Sequence, residues 1–285
     1  MRRIDVTVAT KNNERTLDRC LKSITENIPL RHLIVVDGGS TDRTVDIARR
    51  YNARVITEGG LLGKVRYRQG MECCTDWIMF VDSDIYVYPS WWPRVSIHMK
   101  EEVGMIVGTG EGDKMKPSRP QFYEKYFEYK TKKYGAEAFS NTLVKRSLLL
   151  SCKQLLRNVH AGEDSVFARH VREMGKQVIT VKDPNPLCFH DHKQGELTSA
   201  FFRSGQSIGI TRNYRRLFLT FASTVRDWYE YSSNIKNYDP RLLVYVLCLW
   251  GYLAKGYVMY RELIPQTRQK RFLSRSDTSC MLKIL

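Results

Sequence analysis

The feature that most constrains this chain is an alternation. Short apolar runs rich in β-branched residues take turns with stretches whose apolar residues recur at helical spacing. Ile4 to Ala9 reads as a buried strand. Leu17, Cys20, Leu21 and Ile24 then mark one face of a helix. His32 to Val36 is the next strand, stopped by Asp37-Gly38-Gly39-Ser40-Thr41-Asp42, which is turn chemistry followed by N-cap residues. A helix is predicted over Thr44 to Arg50 and a strand over Arg54 to Thr57. After Gly59-Gly60 comes a basic helix bearing Lys64, Arg66 and Arg68, up to about Cys74. The run Met79-Phe80-Val81-Asp82-Ser83-Asp84-Ile85-Tyr86-Val87 closes this half. That rhythm predicts an α/β fold, a mostly parallel sheet flanked by helices, with ligands at the carboxyl ends of the strands.

Asp37 and Asp82 both stand at such ends. In a strand, residues i and i+2 share a face, so Asp82 and Asp84 are expected to point the same way. Two hard oxygen donors there suit a divalent cation with positions open for phosphate oxygens. The plainer alternative is a strand-end turn with two solvated aspartates. Asp37 lies one residue earlier than helix capping needs, and a carboxylate there can accept from a base imino or amino group. Lys64 and Arg68 either form a solvated basic face or neutralise a diphosphate.

The second half is less regular. Strands are predicted at Gly104 to Val107, Phe139 to Val144 and Gln177 to Val181, with a loop over Gly108 to Pro120 and an aromatic helix over Gln121 to Tyr134. Gly162-Glu163-Asp164 opens a helix that runs to about Met174 and ends at Gly175. Asp164 is either an acid stabilised by the helix dipole or a general base for an attacking hydroxyl. Leu187 to His192 reads as a last strand, with His190 and His192 on one face and able to offer imidazoles to a metal.

Composition narrows the partners. A formal net charge of +16 over 285 residues implies an anionic partner. The basic residues are widely spread and form no run interleaved with aromatics, which argues against a nucleic-acid module. Seven cysteines without C-x-x-C spacing read as reduced thiols in a cytosol-facing protein. The chain enters a strand directly from Met1, and no signal region is expected.

Past His192 the character changes. Leu197 to Tyr231 has a helical pattern, with Arg203, Arg212, Arg215, Arg216 and Arg226 set among Phe, Leu and Trp. Leu242 to Tyr260 is nineteen residues with one charge, Lys255, and aromatic ends. Three readings fit it: a bilayer-spanning segment, an interfacial helix or hairpin, or a buried core or dimer helix. The arginine-rich stretch suits an anionic membrane surface. Domains are expected at 1–196 and 197–285.

In this order, five motifs over roughly residues 1–195 resemble the inverting glycosyltransferases of the GT-A fold, family 2. They are Val8-Ala9-Thr10-Lys11-Asn12, Val36 to Asp42, Gly63 to Gly70 with Arg68, the D-x-D signature Asp82-Ser83-Asp84, and Glu163-Asp164 followed by His190-Asp191-His192. The sequence departs from the family at Ala9, where proline is usual, and at Gln69, where asparagine is. The resemblance implies a Rossmann-like nucleotide-sugar-binding fold. Thr10, Asn12, Asp37, Arg68, Asp82 and Ser83 would hold the nucleotide. Asp84, with His190 or His192, would bind Mn²⁺ or Mg²⁺, and Asp164 would be the catalytic base. The implied activity is transfer of a hexose from a UDP- or GDP-sugar to a hydroxyl of a lipid-linked or surface glycan at the cytoplasmic face of the cell membrane. A polyprenyl-phosphate sugar synthase and a non-catalytic nucleotide-sugar-binding module are the alternatives.

Overall fold

The computed structural model describes residues 3–112, 122–123, 125–126, 129, 138–181, 186–191, 201–204, 206, 214–236 and 238–259. By internal contacts the chain divides into two units, 1–118 with 135–196, and 119–134 with 197–285. The second unit thus takes in 119–134, which the sequence reading assigns to the first domain.

The first unit is built on strands β1 (Ile4–Thr10), β2 (Leu30–Asp37), β3 (Arg54–Thr57), β4 (Trp77–Asp82), β5 (Ile85–Val87), β6 (Val103–Val107), β7 (Gly110–Gly112), β8 (Asn141–Lys145), β9 (Gln177–Thr180) and β10 (Cys188–His190). Its helices are α1 (Glu14–Asn27), α2 (Thr44–Arg50), α3 (Leu62–Glu72), α4 (Trp91–Val95), α5 (Arg146–Ser151), α6 (Lys153–Leu156) and α7 (Glu163–Glu173). The main sheet has seven strands in the order β3-β2-β1-β4-β8-β6-β9. Pairing is parallel except at β8, which runs antiparallel to both β4 and β6. A second sheet of three strands has the order β5-β10-β7.

The period-2 pattern of the strands supplies both faces of the main sheet. Val6, Val8, Leu33, Val35, Met79 and Val81 point into one core, shared with Leu17, Leu21 and Ile24 of α1. Ile34, Val36, Ile78 and Phe80 point into the other, shared with Val65 of α3, Leu149 of α5 and Phe167 of α7. Each fully buried aliphatic or aromatic chain of this kind contributes about 1.5–3 kcal/mol by leaving water. α3 carries a different stripe. Its buried positions include Gly63, Arg66, Gln69 and Gly70, so a charged residue lies on its inward face. A Cβ on Gly63 would stand 2.2 Å from the Leu156 carbonyl oxygen, which is why the second residue of α3 is one without it.

The run from Met79 to Val87 is two strands. β4 ends at Asp82, residues 83–84 turn, and β5 begins at Ile85 as part of the other sheet. The expected common face of Asp82 and Asp84 is therefore replaced by a joint between sheets.

The second unit holds α8 (Tyr214–Asn234) and α9 (Pro240–Val258). Asp239 caps α9 by accepting from the Arg241 amide, and Pro240 occupies the first turn. Leu242, Val246, Leu249 and Leu253 form one buried stripe of α9, and the first three pack with Tyr123, Tyr126 and Tyr231. Val244, Leu247, Tyr252 and Val258 lie exposed on its other sides. The predicted helix over 121–134 and the tail beyond 259 fall largely outside the described residues.

Candidate active site

Register brings the carboxyl ends of the central strands level. Thr10 pairs with Asp37, and Ala9 pairs with Asp82. The buried Asp37 carboxylate folds its own turn: one oxygen accepts from the amides of Gly39 and Ser40 at 3.0 and 2.9 Å, the other from the Ser40 hydroxyl. Gly39 takes a positive φ of 82°, the conformation that suits glycine. Asn12, itself at φ 47°, ties this turn to β1: its carboxamide oxygen accepts from the Thr41 amide at 2.8 Å, and its own amide donates to Ser40 Oγ at 2.8 Å. Thr10 Oγ1 is buried and makes no hydrogen bond. A buried hydroxyl in that state is costly unless a ligand completes it.

The D-x-D turn is held from beneath by α1. Asn13 Nδ2 donates to Ser83 Oγ at 2.7 Å, and Thr16 Oγ1 donates to the Ser83 carbonyl at 2.9 Å. Ser83 therefore anchors the turn with both of its polar groups. The two aspartates part company. Asp82 accepts from Arg66 Nη2 at 2.8 Å. Asp84 lies 3.4 Å from His190 Nε2, carboxylate oxygen to ring nitrogen, and both side chains are mostly buried.

Arg66 is the hub. It is buried, and beyond Asp82 its Nε reaches Glu163 Oε1 at 3.4 Å at the head of α7. Burial alone would lower its affinity for the proton, but the charges of Asp82 and Glu163 more than offset that. Its guanidinium also lies 5.3 Å from the Phe139 ring. Arg68 does not share this place. Two residues further along a helix is about 200° round the axis, and Arg68 pairs instead with Glu72 at 2.7 Å on its own helix. Lys64 pairs with Glu58.

Asp164 stands beside Glu163, after a left-handed Gly162 with φ 76°. One of its oxygens accepts from the Ser165 amide at 2.7 Å. Burial, and then the charge of Glu163, push its carboxyl up to about 7, while Arg66 draws it down and Asp82 adds to the rise. A carboxyl titrating near neutrality among such neighbours has the profile of a general base. One chain of charges thus runs from the D-x-D turn through Arg66 to Asp164.

His190 is set by the second sheet. It pairs with Ile85 in the β5–β10 register, and the next amide, of Asp191, donates to the Asp84 carbonyl at 2.9 Å. Asp191 is gripped by both Arg15 Nη1 contacts, at 3.1 and 2.9 Å, and by the Tyr86 hydroxyl at 2.9 Å. A divalent ion with ligands near 2.1 Å has adjacent donors about 3 Å apart, so the 3.4 Å spacing of Asp84 and His190 fits one. His192 lies outside the described residues.

Sequence reasoning assembled Thr10, Asn12, Asp37, Asp82, Asp84, Asp164 and His190 at one end of the sheet. It missed Arg66, Asn13, Thr16 and Arg15. The signal for Arg66 was available: it shares a helical face with Gly63 and Gly70, spacing i, i+3 and i+7, and small residues on a face mark close packing.

The family model for glycosyl transferase family 2 matches residues 5–160, which stops short of Glu163, Asp164 and His190. An uncharacterized glycosyltransferase of Rickettsia typhi is 37% identical over 116 residues, 40% of this chain and 36% of that protein. A 4,4'-diaponeurosporenoate glycosyltransferase of Staphylococcus aureus is 33% identical over 89 residues, 29% of this chain and 24% of that protein. The chain thus matches about a third or less of the length of these curated relatives. Among solved structures, glucosyl-3-phosphoglycerate synthase from Mycobacterium tuberculosis, in complex with Mn²⁺, UDP-glucose and phosphoglyceric acid, superposes with a TM-score of 0.51 at 18% identity, covering 73% of this chain and 78% of that one. S. aureus TarS 1-349 gives 0.53 at 18% identity, covering 73% and 65%. At such identity the likeness is one of fold.

Proposed function

The chain belongs to glycosyl transferase family 2, and on that footing we propose that it is a metal-dependent, inverting hexosyltransferase acting at a membrane surface. The donor is a UDP- or GDP-hexose and the acceptor a hydroxyl of a lipid-linked or surface glycan. The observation that carries this is the continuity from Asp82 through Arg66 to Glu163 and Asp164, which sets an acid of raised proton affinity beside the D-x-D turn.

Thr10, Asn12 and the Asp37 turn cradle the nucleoside. Asp84 and His190 would hold Mn²⁺ or Mg²⁺, which would supply positive charge for the departing diphosphate. Asp164, ionised, takes the proton of the acceptor hydroxyl as its oxygen bonds to the anomeric carbon and the bond to the diphosphate oxygen breaks. A single displacement inverts the anomeric centre. Arg66 pairs with both Asp82 and Glu163, and the negative charge that one guanidinium leaves uncompensated raises the proton affinity of Asp164.

The membrane part of the proposal rests on α9. It is long and apolar enough to cross a bilayer, with an 18-residue stretch of mean hydropathy 1.2 of which 28% is buried in the protein. The described cysteines are all free, in keeping with a cytoplasmic-face enzyme.

A thermal-shift screen of UDP- and GDP-sugars with Mn²⁺ tests the reading. The cognate donor at about 100 times its Kd should stabilise the protein by about 2.7 kcal/mol. Asp84→Ala should lose the Mn²⁺-dependent part of that shift while keeping its unliganded melting temperature. Undiminished Mn²⁺-dependent binding in Asp84→Ala, or no shift with any donor, would count against it.

A further inference from the structure

The amino ends of the same strands carry a second cluster of ligating groups. Asp5 lies near the start of β1, His32 near the start of β2, and Cys74 in the connection from α3 to β4. Along β1, Asp5 is four residues from Ala9, the partner of Asp82, so about 13 Å of strand separates this cluster from the D-x-D end. One Asp5 oxygen is taken by the amides of Cys74 and Thr75, at 2.6 and 3.0 Å. Its other oxygen lies 2.9 Å from His32 Nδ1, and that same nitrogen lies 3.7 Å from the Cys74 sulfur. The three donor atoms, one oxygen, one nitrogen and one sulfur, all fall within 4.8 Å of one another.

We propose that Asp5, His32 and Cys74 form a cation site for Zn²⁺ or a similar borderline-soft divalent metal, separate from the site at Asp84. Zinc bonds of about 2.0–2.3 Å in tetrahedral array place neighbouring N, O and S ligands about 3.3–3.7 Å apart, which brackets the sulfur–nitrogen spacing and needs only a small opening of the oxygen–nitrogen one. The donor set discriminates between metals: a thiolate with an imidazole is poorly suited to Mg²⁺ or Ca²⁺ and well suited to Zn²⁺. The charges close, since carboxylate and thiolate neutralise a doubly charged ion and the imidazole binds neutral. The two backbone amides on the far Asp5 oxygen orient the carboxylate as outer-shell partners do in metal sites. Exposure of His32 and Cys74 leaves the fourth position to water. A metal here would staple the entries of β1, β2 and β4 together.

Cobalt is a visible stand-in for zinc. Metal-stripped full-length protein titrated with Co²⁺ should develop a thiolate-to-cobalt charge-transfer band that saturates at one equivalent and is displaced by Zn²⁺. The band should persist in Asp84→Ala, vanish in Cys74→Ser, and require at least about tenfold more Co²⁺ in His32→Ala. Cys74 is on the surface, so Cys74→Ser should melt like the metal-stripped parent. No band with the parent protein, or a band retained in Cys74→Ser, would overturn the assignment, the latter by tracing it to another thiol.

Discussion

As the base proposed above, Asp164 would set activity and stability against each other. Its carboxyl is pushed up to about 7 by burial and Glu163, against about 3.9 in an unfolded chain. Between those values the folded state holds a proton that the unfolded state has released, so this group's contribution to stability falls as pH rises from about 4 to about 7. Asp164→Asn should therefore melt higher than the parent at pH 8, and the difference should vanish near pH 4. Activity runs the other way. Parent kcat/KM should climb through about pH 7, and Asp164→Asn should lose about 10²–10⁴-fold in kcat; unimpaired turnover would point instead to an acceptor already ionised, such as a polyprenyl phosphate. Arg66 makes a second test. Removing one partner from a buried ion pair costs about 3–5 kcal/mol, so Arg66→Gln should lower the melting temperature clearly. By releasing Asp82 and Glu163 it should also shift the pH–activity limb upward. A variant with lowered stability and an unmoved limb would reduce Arg66 to a structural brace.

Among the elements, α3 is the one whose placement decides the site. Helix propensity favours alanine over glycine by up to about 1 kcal/mol, yet a methyl on Gly63 meets the Leu156 carbonyl oxygen at 2.2 Å. The clash outweighs the propensity, and Gly63→Ala should destabilise by about 1–3 kcal/mol in denaturant unfolding, with loss of activity as Arg66 is displaced. Much of this was legible in the residues. β3 and α2 fall where turn residues and apolar spacing put them, because local signals there agree with tertiary packing. The break at Ser83 was not, because an apolar run continuing past two aspartates looks like one strand; only the partners Asn13 and Thr16, far away in sequence, make it a turn. Arg66 was hidden for the same reason: the direction of its side chain depends on where α3 is laid down.

For the molecule as a whole, the candidate site residues lie in the first unit and the long apolar α9 in the second. α9 buries Leu242, Val246, Leu249 and Leu253 and leaves Val244, Leu247 and Val258 exposed. A chain ending near Ser232 should sediment less with anionic vesicles than full-length protein in a flotation or pelleting assay, and equal partitioning would remove α9 from membrane binding. Spanning and surface-lying arrangements differ in whether protease reaches both ends of the helix. The joint at residues 83–84 has a consequence at this scale. Asp82 belongs to the seven-stranded layer and Asp84 leads into the three-stranded one, which Tyr86 and Arg15 clamp through Asp191. The gap between the two acids is accordingly a gauge of how the smaller layer is seated on the larger, and Tyr86→Phe, without touching a nucleotide or an ion, would retune it by loosening the clamp.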